Sequence, residues 1–183
     1  MRDISLHILD IAENSVRAKA NLIQISVVID SDIDMLTVII EDNGCGMDQE
    51  MLKNVKSPFA TSRTTRKVGL GIPLFKASCV NTGGDLDIIS SPGMGTTLKA
   101  EYNYSHIDRP PLGDIAETIF TLTLLNPQID FVFSAKKDES FIYDTRQIKA
   151  AIEGVPITQP DVLEFIRGFL QEGITQVFGG NEI

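Results

Sequence analysis

Two residues near the start of the chain have side chains suited to metal and proton chemistry. Asp10 and Asn14 are four residues apart in a segment with helical periodicity, so both side chains lie on one helix face. A carboxylate there can accept a proton from water, and Mg²⁺ takes a few protein oxygens beside water and phosphate oxygens. The same pattern is also typical of the solvated face of an amphipathic helix.

A second cluster, Asp42-Asn43-Gly44-Cys45-Gly46-Met47, directly follows an apolar stretch. A carboxylate at the end of a strand can accept a hydrogen bond from an exocyclic amine such as that of adenine. Glycines at 44 and 46 allow close backbone approach and dihedral angles that other residues avoid. An ordinary turn after a strand has a similar composition, so the cluster alone leaves both interpretations open.

A third cluster, Gly69-Leu70-Gly71, begins a helical segment inside a basic, acid-free stretch. No Asp or Glu occurs between 51 and 84, although the whole chain carries a net charge of -9. Such an island indicates either a bound anion or a solvated basic loop. The free N–H groups at the start of a helix and its dipole favour an anion. The basic residues of the stretch are Lys53, Lys56, Arg63, Arg66, Lys67 and Lys76.

Periodicity and turn residues predict the elements that position these clusters. A helix is expected over 3–19, a hairpin over 22–30 and 35–41, a short helix over 48–55, a helix over 70–81, and strands over 85–90 and 96–102. After a stiff connector at 109–111, we expect a helix over 114–125, strands over 129–134 and 140–143, helices over 145–151 and 161–171, and a frayed tail from 178. The part after 104 is either a second domain or an extension on the same sheet.

Composition restricts the class of protein. The 183 residues are 43% hydrophobic and 22% charged, which is typical of a globular chain rather than a disordered one. No apolar run approaches membrane-spanning length, and no apolar signal core is present, so we expect a cytoplasmic protein without membrane contact. The acidic balance disfavours nucleic acid as a partner. The two cysteines lack metal spacing and are expected to be reduced thiols.

Together, the clusters and the turn Gly93-Met94-Gly95-Thr96-Thr97 resemble, in order and spacing, the Bergerat ATP-binding fold. That superfamily contains DNA gyrase, a heat-shock chaperone ATPase, sensor histidine kinases and the MutL mismatch-repair ATPase. The resemblance covers 1–103 and implies a two-layer α/β sandwich, with a mixed, mostly antiparallel sheet and helices on one face. We therefore expect a histidine-kinase-like ATP-binding domain over 1–103 and a C-terminal α/β extension over 104–183.

The resemblance also implies roles for individual residues. Asn14 would hold Mg²⁺ at the ATP phosphates, Asp42 would bind the adenine amine, and Asp10 would activate the nucleophile. Asp10 departs from the Glu usual at that position, and its side chain is one methylene shorter, so it would act through a water molecule or leave hydrolysis slow. The remaining residues expected at the nucleotide are Gly44, Gly46 and Met47 near the base, Thr97 beside Asp42, Phe59, Arg63 and Lys67 in the lid, and Gly69, Leu70 and Gly71 at the phosphates.

The expected function is Mg-ATP binding with slow hydrolysis or phosphoryl transfer to a partner protein. The alternative is a nucleotide-gated interaction switch without chemistry, and a degenerate domain that binds nothing is a third interpretation. His7 and His106 are unlike the phosphoacceptor of sensor kinases, because His7 lies in the first ATP-domain helix and His106 in the connector. A phosphoacceptor would therefore be on another protein. The sequence identifies no partner, and a homodimer is compatible with it.

Overall fold

The computed structural model describes residues 3–56 and 70–179, which form six helices and six strands. The elements are α1 (Ile4–Arg17), β1 (Leu22–Asp30), β2 (Met35–Asp42), α2 (Gln49–Lys56), α3 (Gly71–Val80), β3 (Leu86–Ser91), β4 (Gly95–Asn103), α4 (Ile115–Leu125), β5 (Asp130–Lys136), β6 (Ser140–Asp144), α5 (Thr145–Ala151) and α6 (Pro160–Phe178). Each predicted element is present within a few residues of its expected bounds, apart from α6.

The strands form one sheet in the order β3-β4-β2-β1-β5-β6. All neighbours pair antiparallel except β1 and β5, which are parallel. The β1–β2 turn is stabilised by the Asp30 carboxylate, which accepts hydrogen bonds from the Asp32 and Ile33 backbone N–H groups. The predicted mixed, mostly antiparallel sheet is confirmed.

Buried and exposed side chains alternate along the strands, so one face of the sheet packs on a layer of helices. On β1, the side chains of Ile23, Ile25, Val27 and Ile29 are all buried, whereas the intervening ones are partly or fully exposed. The buried side belongs to a core that includes apolar residues of α1, α3, α4 and α6. The opposite side includes Ile89 and Ile142, which are 68% and 62% exposed. Burial on a single face is what a period of two predicts for a sheet covered by helices on one side, and the fold class is confirmed.

The C-terminal extension joins the sheet through β5, which pairs along almost the whole of β1. Its connector also holds the start of the chain, because Ile4 and Ser5 donate backbone hydrogen bonds to the carbonyls of Pro111 and Leu112. The division at residue 104 stays a prediction. The two strands after it belong to the same sheet as the four before it.

Helix α6 is longer than the sequence pattern predicts. Val177 and Phe178 are buried like Leu170, so the apolar face continues about two turns beyond the expected end at residue 171. Gly173 lies against the Phe141 ring, where a Cβ would overlap the ring. A glycine inside the helix therefore serves close packing rather than termination. Residues 180–183 of the predicted tail lie outside the described residues.

None of the helices in the described ranges is both long and apolar enough to span a bilayer. Cys45 and Cys79 are free thiols, the first exposed and the second buried. Burial raises the pKa of the Cys79 thiol to about 11, which favours its protonated, unreactive form.

Candidate functional site

The carboxylate of Asp42 is buried at the end of β2 and fixed by two donors. The Ser15 hydroxyl of α1 donates to Oδ2 at 2.6 Å, and the Gly44 backbone N–H donates to Oδ1 at 2.8 Å. Asp42 is only 8% exposed. Because each carboxylate oxygen has two lone-pair positions, accepting capacity remains for a ligand. The side chain is therefore an oriented hydrogen-bond acceptor.

The strand register corrects the residue expected beside Asp42. Thr97 lies opposite Glu41, and Thr96 lies opposite Asp42. Side chains of consecutive strand residues point to opposite faces, so Thr96, and not Thr97, shares the face of Asp42. Two adjacent threonines give no sequence signal for choosing between them, because a slip of one residue exchanges their faces.

Thr96 is part of a hydroxyl network that the sequence did not reveal. Ser90 Oγ donates to the Gly95 carbonyl at 2.8 Å and accepts from the Met47 backbone N–H at 2.9 Å. The Thr96 hydroxyl lies 3.0 Å from the same Ser90 oxygen. Since Ser90 has a single proton, already given to Gly95, the proton between the two hydroxyls must come from Thr96. The network leaves the Thr96 oxygen as an acceptor.

Backbone hydrogen bonds fix the loop after Asp42 on both sides. Cys45 N–H donates to the Ala18 carbonyl at the end of α1, and Gly93 N–H donates to the Cys45 carbonyl. Gly46 has a φ of 66° and lies so close to Ser91 that a Cβ would overlap its carbonyl oxygen. The glycines expected to give room to a base thus allow close approach between backbone segments. Gly44, which is tight against Ala18, does so without a positive φ.

Asp10 and Asn14 are both half-buried on α1, as the helical spacing predicts. Asn14 Oδ1 accepts a hydrogen bond from Arg17 at 3.0 Å, and Arg17 also pairs with Glu13 at 2.9 Å. The Asp10 carboxylate lies over Gly71, where a Cβ would overlap Oδ2. Helix α1 therefore places Ser15 against Asp42 and Asp10 against the first residue of α3.

The start of α3 has the features of an anion site. Gly71 is buried, Leu70 is 66% exposed, and no side chain caps the helix at its N-cap residue. Pro73 is tolerated there because N–H groups of the first turn have no partner within the helix. Of the predicted phosphate and lid residues, Phe59, Arg63, Lys67 and Gly69 lie outside the described residues.

A magnesium ion would fit Asn14 as a single protein ligand. Within residues 3–56 and 70–179, no group of three or more His, Cys, Asp or Glu side chains could form a metal site. Asn14 Oδ1 is a hard oxygen, and the Arg17 guanidinium that donates to it here is an exposed side chain that would have to move aside for the ion. Magnesium uses few protein oxygens when phosphates and waters supply the others, and the donor set agrees with that pattern.

His7 packs inside the contact between α1 and α3. It is 2% exposed, its ring stacks on Phe75 with centroids 4.5 Å apart, and its Nδ1 has no hydrogen-bond partner among the described residues. Burial is the largest cause that lowers the pKa of His7, to about 4. The ring is therefore neutral at physiological pH.

We expect this burial to make the free energy of unfolding decrease as the pH is lowered. The pKa of an unfolded histidine is near 6.5, so between about pH 6.5 and 4 the unfolded chain binds the additional proton. Stability is therefore complete above about pH 7 and should decrease by about 2 kcal/mol at pH 5. Urea unfolding followed by circular dichroism measures this difference. His7→Phe keeps the ring stack and should remove that part of the pH dependence, whereas an unchanged slope would contradict the assignment.

Known proteins are similar to this chain over the residues that carry this geometry. Residues 2–105 match the sequence model of the histidine kinase-, DNA gyrase B- and HSP90-like ATPases. A putative sensor protein of Shewanella frigidimarina is 36% identical over 76 residues, which are 40% of this chain and 12% of that protein. The histidine-protein kinase AtoS of Escherichia coli is 38% identical over 61 residues, which are 33% of this chain and 10% of that protein.

A solved structure supports the fold over a longer range. The Aquifex aeolicus MutL ATPase domain complexed with ADP superposes with a TM-score of 0.55 at 16% identity. The superposition covers 84% of this chain and 68% of that chain. At this identity the likeness concerns the fold alone. The chain spans about a tenth of the length of the sensor relatives it matches.

Proposed function

The chain belongs to the histidine kinase-, DNA gyrase B- and HSP90-like ATPase family, and we propose that it binds ATP with Mg²⁺ and slowly transfers the terminal phosphoryl group. The acceptor is water or a partner protein. In this proposal Asp42 binds the adenine amine, Asn14 holds Mg²⁺, and the start of α3 receives the phosphates.

The observation that carries the proposal is the double contact of α1. Ser15 touches the carboxylate of Asp42, and Asp10 touches Gly71 at the start of α3. These two residues are five positions apart, or about 7.5 Å along a helix axis. One helix therefore connects an acceptor suited to a purine amine with a helix start suited to phosphate. A nucleotide has both of these chemical ends.

The chemistry assigned to the chain's own residues is positioning and proton transfer. Asp10 would accept the proton of the attacking water as the new oxygen–phosphorus bond forms and ADP leaves. Mg²⁺ would supply positive charge to the phosphates, as is usual for phosphoryl transfer. Arg63 or Lys67 would offer positive charge to the phosphates, as the family resemblance implies.

A switch without chemistry is the second candidate function. The observation that favours it is the short side chain of Asp10, whose carboxylate lies against Gly71 at the start of α3. A carboxylate held there can exchange with bound phosphates, and such an exchange would couple nucleotide binding to the contact between α1 and α3. Hydrolysis is then unnecessary.

Replacement of Asp10 by Asn distinguishes the two functions. If Asp10 is the base, phosphate release from γ-labelled ATP should fall about 100-fold or more, because a positioned general base typically contributes about 10²–10⁴-fold. ADP binding, measured by calorimetry with Mg²⁺, should stay within about threefold of the wild type. The matched control is Asp114→Asn at the start of α4, since Asn caps a helix as well as Asp does.

Each outcome is informative. Equal label release by the wild type and Asp10→Asn contradicts the role of Asp10 as the base, and no release by either protein with intact ADP binding favours the switch. If the γ-label moves from ATP onto a second protein added to the assay, and does so only with intact Asp10, phosphoryl transfer is supported. A wild-type chain that binds no adenine nucleotide contradicts both functions.

A further inference from the structure

We propose that Ser15 and Ser90 are positioning residues that set the base preference of the site by directing hydroxyl protons away from the ligand. This inference rests on the proposed nucleotide binding and adds selectivity between purines with a 6-amino group and purines with a 6-oxo group. Both serines are buried, at 3% and 7% exposure. Neither would touch the base in this proposal, because each acts through a neighbouring side chain.

Ser15 acts through Asp42. Its hydroxyl lies 2.6 Å from Asp42 Oδ2 and 3.4 Å from the Ile11 carbonyl, so the single proton belongs to the shorter contact. Together with the Gly44 N–H on Oδ1, this bond prevents the carboxylate from rotating. The remaining lone pairs of Asp42 therefore have a fixed direction.

Ser90 acts through Thr96. Its own proton is bonded to the Gly95 carbonyl, so the proton of Thr96 is directed to Ser90 and the Thr96 oxygen can only accept. Thr96 lies directly across the strand pair from Asp42. Two neighbouring groups at this end of the site thus accept hydrogen bonds and donate none.

Two neighbouring hydrogen-bond acceptors, Asp42 and Thr96, favour a ligand group that carries two N–H donors. The exocyclic amine of a 6-aminopurine has two N–H donors, whereas a 6-oxopurine presents an oxygen to the same groups and leaves them unpaired. Unpaired buried polar groups are the strongest source of rejection available to a binding site. The arrangement therefore selects ADP over inosine diphosphate without a positively charged or bulky residue.

The test compares three diphosphates on the same protein. ADP, inosine diphosphate and purine riboside diphosphate, which has no 6-substituent, are titrated with Mg²⁺ by calorimetry. Ser15→Ala should weaken ADP about tenfold and purine riboside diphosphate less than twofold, because only ADP uses the oriented carboxylate. Ser15→Thr keeps the hydroxyl and should restore ADP affinity to within about threefold.

Ser90→Ala provides an independent variant. It frees the Thr96 hydroxyl to donate, so inosine diphosphate should gain about threefold or more relative to ADP. If Ser15→Ala weakens ADP and purine riboside diphosphate equally, or if neither variant changes the ratio of the three ligands, the inference is wrong while nucleotide binding stands. A wild-type chain that binds none of the three contradicts the proposed function itself.

Discussion

Replacement of Asp42 by Asn is expected to weaken ADP binding about 100-fold and to leave inosine diphosphate binding equal or better. The Gly44 N–H requires an acceptor, so the amide oxygen of Asn would take the Oδ1 position. The amide nitrogen then occupies the Oδ2 position and presents N–H groups to the adenine amine. Two donors then face each other. The site loses one hydrogen bond and leaves a buried polar group unpaired, which together cost about 3 kcal/mol of binding free energy.

Isothermal titration of both diphosphates into wild type and Asp42→Asn measures this change. Asp32→Asn, an exposed carboxylate in the β1–β2 turn, is the matched control and should bind both ligands like the wild type. The charge change is the same in both variants, so a general electrostatic effect would appear in each. Equal ADP affinities for wild type and Asp42→Asn would remove Asp42 from the base-binding role.

The sequence indicated candidate residues for the site but not the contacts between them. Asp42, Gly46 and Asp10 could be proposed because their chemistry and spacing are local properties, and their roles stay predictions. The bond between Ser15 and Asp42 could not, because it joins residues 27 positions apart. Such a contact depends on how α1 packs across the end of β2, and tertiary packing is not encoded in a short motif.

The prediction of helices and strands has the same limit, because it reaches local patterns but not long-range pairing. Periodicity predicted α1 and the β1–β2 hairpin nearly to the residue, since both carry regular burial patterns. It did not predict that β5 pairs parallel with β1, because the two strands are separated by more than 90 residues and other elements intervene. The choice between Thr96 and Thr97 likewise required the register of β4 against β2.

Strand β1 connects the extension with the proposed nucleotide site. One edge of β1 pairs with β2, which ends at Asp42, and the other pairs with β5 of the extension. Helix α1, which carries Asp10 and Asn14, also packs on α4. A nucleotide-dependent shift of α1 would therefore affect both the helical layer and the strand layer of the extension. This is the physical route by which a switch could reach a surface outside the ATPase domain.

The close approach of two backbone turns makes Gly46 a position where even a small substitution should cost much stability. Gly46→Ala places a residue at a φ of 66° and pushes its Cβ onto the Ser91 carbonyl oxygen. The left-handed conformation alone costs about 1–2 kcal/mol. Because the obstacle is backbone and cannot rotate away, we expect a total loss of about 4 kcal/mol in the free energy of unfolding.

Gly93→Ala separates the two contributions. Gly93 also has a positive φ, 76°, but nothing lies within 4 Å of the position of its Cβ. It should therefore lose only the conformational part, about 1–2 kcal/mol. Urea unfolding of the two variants beside wild type gives the difference, which measures how tightly the Asp42–Met47 loop is held against the β3–β4 turn. Equal losses in the two variants would mean that the loop can move away from Ser91. The fixed orientation assigned to the Asp42 carboxylate would then be wrong.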